Sequence, residues 1–71
     1  MDAEQAIKYL QEKVDRREPV FILRGQDQCA VQTILHWIKE AQAENVNIDK
    51  LNGAYDVAQQ FQKWPIKKVP D

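Results

Sequence analysis

The chain has 71 residues, enough for one domain with a small core. Ten Lys and Arg stand against eleven Asp and Glu, and the net charge of -1 supplies no global field for steering onto nucleic acid or an acidic membrane. Cys29 is the only cysteine, which excludes an internal disulfide and a cysteine-based structural zinc site and fits a reducing, cytoplasmic setting.

No apolar run approaches the ~20 residues of a membrane-spanning helix. Charges recur through residues 1–18, so the sequence offers no signal-peptide core there. A domain of this size buries only about 60% of its unfolded surface and is marginal without a staple. With disulfide and zinc excluded, self-association is the stabiliser that remains.

Taken in chain order, the first element is a helix over 2–17. Asp2 and Gln5 have the spacing of a capping box, and Ala3, Ala6, Ile7, Leu10 and Val14 recur at helical intervals. Glu4 precedes Lys8 by four residues and Glu12 precedes Arg16, the favourable order for helix pairs. Arg16 and Arg17 suit the negative end of the helix dipole, and Pro19 pushes Glu18 out of helical geometry.

Residues 19–24 read as a strand. Val20-Phe21-Ile22-Leu23 is continuously apolar, with β-branched and aromatic members, between Pro19 and Gly25. It is the only convincing strand, so its backbone groups lack a partner within the chain. Within the tail over 65–71, the stretch Ile66–Val69 is a possible partner but a poor one, because Pro65 and Pro70 flank it and two lysines interrupt it. Pairing with the same segment of a second copy is expected, giving a homodimer centred on Val20, Phe21, Ile22 and Leu23.

Asp27 is the expected N-cap of a second helix over 27–44. Its stripe of Ala30, Val31, Ile34, Leu35, Trp37, Ile38 and Ala41 is wide enough to need two neighbours. Asn45 tolerates the left-handed conformation of a helix end. A third helix over 47–64 opens on Asn47, with Val46 and Leu51 spaced as a hydrophobic staple. Gly53 costs about 1 kcal/mol within that helix, which suggests a close helix–helix approach. Trp37, Ile34, Leu35 and Leu51 are expected in the core. The fold class is therefore mainly α, in the order α-β-α-α.

Arg24-Gly25-Gln26-Asp27 joins a strand to a helix N-terminus, where free N–H groups and the dipole favour an anion. Arg24 adds a guanidinium fork suited to phosphate or carboxylate. The competing reading is an ordinary turn in which Arg24 pairs with an acid and Asp27 occupies the N–H groups itself. His36 lies between Gln32 and Glu40 on the second helix, yet Cys29 is two turns away, about 10 Å. That geometry gives no catalytic pair or metal set, so no catalytic residue, metal or cofactor is expected. Lys63, Lys67 and Lys68 beside Trp64 and Tyr55 form the best basic-aromatic patch, but three charges are few for non-specific DNA binding at physiological salt.

The core Phe21-Ile22-Leu23-Arg24-Gly25-Gln26-Asp27, a Trp about ten residues on, and the closing Trp64-Pro65 resemble a widespread group of short uncharacterised bacterial and phage proteins. Those proteins share an F-x-L-R-(A/G)-Q-D core and a terminal W-P, and the resemblance runs from about Pro19 to Pro65. It implies a phage or prophage accessory protein and carries over no catalytic residue.

Together these features point to a non-enzymatic, homo-oligomeric binding module acting in the cytoplasm on a host protein or a small anionic, nucleotide-like ligand. The alternative is a nucleic-acid-binding accessory protein that uses Lys63, Lys67 and Lys68.

Overall fold

The computed structural model describes residues 1–70. It contains three helices and no sheet among the described residues: α1 (Ala3–Lys13), α2 (Ala30–Ala43) and α3 (Ile48–Lys63). Among the described residues, no helix is long and apolar enough to cross a membrane.

The capping box of α1 forms as its spacing implies. The Asp2 carboxylate accepts from Gln5 N–H at 2.9 Å, and the Gln5 side chain accepts from Asp2 N–H at 2.9 Å. The helix stops at Lys13, four residues short of the expected end. Asp15 is the reason. Its carboxylate accepts from Arg17 N–H at 2.8 Å and its carbonyl from Glu18 N–H at 3.0 Å, so a local turn replaces helical bonding. Arg16 therefore lies outside the helix, and Glu12 has no helical neighbour four residues on.

Residues 19–24 do not form a hydrogen-bonded strand within the chain. Among the described residues, no backbone group of residues 19–23 takes part in a hydrogen bond. The expected strand over 19–24 is therefore not formed, and no second strand stands among the described residues to pair with it.

α2 begins at Ala30, three residues after the expected start. The Asp27 carboxylate accepts from Cys29 N–H at 2.7 Å and its carbonyl from Ala30 N–H at 3.1 Å, which holds 27–30 in a turn leading into the helix. At the other end Asn45 adopts a φ of 60°. Val46 N–H donates to the Ala41 carbonyl and Asn45 N–H to that of Gln42, each at 3.1 Å, the pattern of a Schellman cap. Two residues later the Asn47 side chain accepts from Asp49 N–H at 2.8 Å and starts α3. Two caps back to back make a tight turn, so α2 and α3 form an antiparallel hairpin.

That hairpin holds the core. Ile38, Ala41 and Leu51 are buried together, with Ile34, Val46 and Ala54 packed on them. Val46 and Leu51, the two residues of the expected staple, thus belong to one cluster. Leu35 and Trp37 do not join them: they are 37% and 45% exposed. The wide stripe of α2 calls for two neighbours, and only α3 is in place. α1 packs against neither helix of the hairpin and has no buried residue.

The surface confirms how little is covered. A compact monomer of this mass exposes roughly 4,600 Å². The single chain exposes 6412 Å², an excess of about 1,800 Å² over that scaling. Its radius of gyration is 13.0 Å, against about 11 Å for a compact chain of this length.

Gly53 was expected at a close helix contact. It faces open space instead, with nothing within 4 Å of where a Cβ would sit. Gly53→Ala should therefore remove a helix-propensity cost without a clash and stabilise the protein by about 1 kcal/mol. A shifted urea midpoint at unchanged slope checks this, and loss of stability would place Gly53 in a contact.

Candidate functional site

The turn before α2 is built by three segments that meet. Lys68 in the tail makes a parallel bridge to Asp27: Gln28 N–H donates to the Lys68 carbonyl at 2.9 Å, and Lys68 N–H donates to that of Gln26 at 2.6 Å. The Lys67 ammonium donates to the Gly25 carbonyl at 3.0 Å and to the Phe61 carbonyl in the last turn of α3. The Trp64 side chain lies against Gly25, where an added Cβ would be 3.4 Å from Trp64 Cγ. The tail is thus the partner of residues 26–28 and makes no backbone bond to residues 20–23. Pro65 and Pro70 fall outside the two backbone bonds, and the Lys67 ammonium is a second donor to the Phe61 carbonyl, which also accepts from Trp64 N–H at 3.2 Å.

Between the turn and the tail lies an open cleft of about 440 Å³. Arg24, Gln26, Asp27 and Lys68 line it, with Ile22 and Val69 at its apolar edge. Arg24 has no ion-pair partner among the described residues, so the structural pairing weighed for it does not form with them. The expected backbone contribution to anion binding is largely absent. The N–H groups of Asp27, Gln28, Cys29 and Ala30 all donate within the chain. Attraction for an anion at this cleft rests on the Arg24 and Lys68 side chains, opposed by the Asp27 carboxylate. Gly25 lies behind the cleft as the seat of Trp64.

The apolar segment sits beside the cleft. Phe21 is 85% exposed and Ile22 69%, while Val20 is exposed and Leu23 half-buried. This is a run of large apolar side chains on backbone left unpaired among the described residues. A second, smaller hollow of about 320 Å³ lies where the connector meets the end of α1, between Leu10, Val14 and Val20.

The three lysines of the nucleic-acid alternative do not form one free patch. Lys63 ends α3, Lys67 is committed to two carbonyls, and Lys68 lines the cleft. His36 is exposed and lies 3.6 Å from the Glu40 carboxylate, one turn on. Such a pair in solvent contributes little.

Sequence reasoning missed the Lys67 clip and the Trp64–Gly25 contact. A lysine two residues beyond Pro65 was the available signal, since basic side chains near a helix end reach back to its carbonyls. The chain matches no protein-family model, no curated protein and no solved structure.

Proposed function

We propose that this chain is the subunit of a small, non-enzymatic binding module that is completed by self-association and acts in the cytoplasm. One observation carries the reading: Val20, Phe21 and Ile22 stand exposed on backbone that makes no hydrogen bond among the described residues. Antiparallel pairing of residues 20–23 with the same segment of a second copy satisfies those groups and covers the side chains, because a two-fold axis makes the contact self-complementary. The excess of about 1,800 Å² matches what a subunit of a permanent dimer buries, roughly 1,000–2,500 Å².

The cleft next to this segment is the proposed ligand site. Arg24 and Lys68 converge on it, and Gln26 offers an amide, a set suited to a small anion such as a nucleotide phosphate. Sequestering such a ligand, or a host protein, is a role open to a phage or prophage accessory protein of this size. The commitment of Lys67 to carbonyls disfavours the nucleic-acid alternative, since it leaves the tail with one cation fewer for phosphate contacts.

Arg24 is exposed and makes no ion pair among the described residues, so its removal should leave fold and assembly intact. Native mass spectrometry of protein purified from cells is expected to show a retained small anion on the parent assembly. Arg24→Ala should keep the mass of the assembly and lose at least tenfold in affinity for the retained ligand, as expected for deleting one charged hydrogen-bonding partner of ~1.5–3 kcal/mol. Unchanged retention would remove the anion site.

A further inference from the structure

We infer that α1 is an exchanged arm: in the assembly, the α1 helix of one copy lies on the outer face of the α2–α3 hairpin of the other. This rests on the self-association proposed above but concerns a different surface from residues 20–23.

Three observations lead there. First, α1 carries a stripe of Ala3, Ala6, Ile7 and Leu10 at helical spacing and packs on neither helix of its own hairpin. Ile7, in the middle of that stripe, is 56% exposed. An isolated helix of 11 residues is marginal in water and needs a packed face.

Second, the hairpin has a vacant face of matching character. Helical spacing puts Val31 and Leu35 on one flank of α2, and Ile48 and Tyr55 on one flank of α3. In an antiparallel hairpin of right-handed helices these flanks turn to the same side. Leu35, Ile48 and Tyr55 are all exposed there. The polar positions beside Tyr55 on that flank are the uncharged Asn52 and Gln59, in keeping with the depletion of charge at interface centres. Eleven residues of helix span about 16 Å, enough to cover the stretch from Ile48 to Tyr55, roughly 10 Å along α3.

Third, the area requires more than the apolar segment. The largest side chains bury about 150–250 Å² each. Four residues of pairing strand therefore leave roughly 1,000 Å² of the excess uncovered. A second copy is the one occupant that covers both remaining surfaces at once, because each chain brings one arm and one vacant face. The connector meets the end of α1 near Leu10, Val14 and Val20, and the tail pairs with residues 26–28.

The test uses two full-length variants, Ile7→Glu and Leu35→Lys, each at a position exposed in the single chain. Sedimentation of each alone should show a dimer Kd raised at least tenfold with the helical signal retained. Mixed in equal amounts they should regain a dimer, because one contact between an intact α1 and an intact face is restored and the other brings Glu against Lys. A mixture that stays monomeric, or either variant dimerising as the parent does, overturns the exchange. A parent that is itself a folded monomer would remove self-association as well. A parent dimer indifferent to both substitutions would remove the exchange alone.

Discussion

Replacing Ile38 by Ala is expected to unfold a large share of the protein at ambient temperature. Ile38 is the largest fully buried side chain, 2% exposed, at the centre of the cluster with Ala41 and Leu51. Truncating such a residue costs about 2–5 kcal/mol through lost transfer energy and the cavity left behind. A domain of this length has roughly 4–11 kcal/mol in total by per-residue scaling. The melting temperature should therefore fall on the order of 10–30 °C. Comparison must be made at one protein concentration, since association couples to stability. A variant melting like the parent would show that the hairpin does not hold the core.

The second large effect is expected at Ile22. Proline there removes a backbone donor that pairing across two copies would use and leaves the single chain without loss, because residues 19–23 make no backbone hydrogen bond in it. The helical signal should be unchanged while the dimer weakens by about one to two orders of magnitude, corresponding to ~1–3 kcal/mol. Phe21→Asp should act in the same direction, by placing a charge where an 85% exposed aromatic now stands. Retention of parental affinity in both variants would exclude residues 20–23 from the interface.

Local chemistry made much of the helical fold readable in advance. Asp2 with Gln5, and Asn45 with Val46 and Asn47, are short-range signals whose partners lie within a few residues, and each forms the expected bonds. The end of α1 was misread because Asp15 competes for the backbone through its own side chain, which a count of apolar periodicity does not register. Leu35 and Trp37 were misplaced for a longer-range reason. The stripe on α2 implies two neighbours, and among the described residues α3 is the only helix packed on it. Gly53 shows the converse: a residue costly to a helix was taken to mark a contact, and it faces open space. At the cleft, Arg24 and Asp27 are legible in the sequence because they lie three residues apart. The partner that closes the site lies some forty residues away in a lysine-rich tail, and no local pattern ties Lys67 to Gly25.

Sedimentation equilibrium of the parent protein at low micromolar concentration tests most directly whether the single chain is complete. An assembly containing the dimer, at twice the chain mass of 8.3 kDa or a multiple of it, with the helical signal of three formed helices, is the expected result. A stable, folded monomer of 8.3 kDa would contradict it.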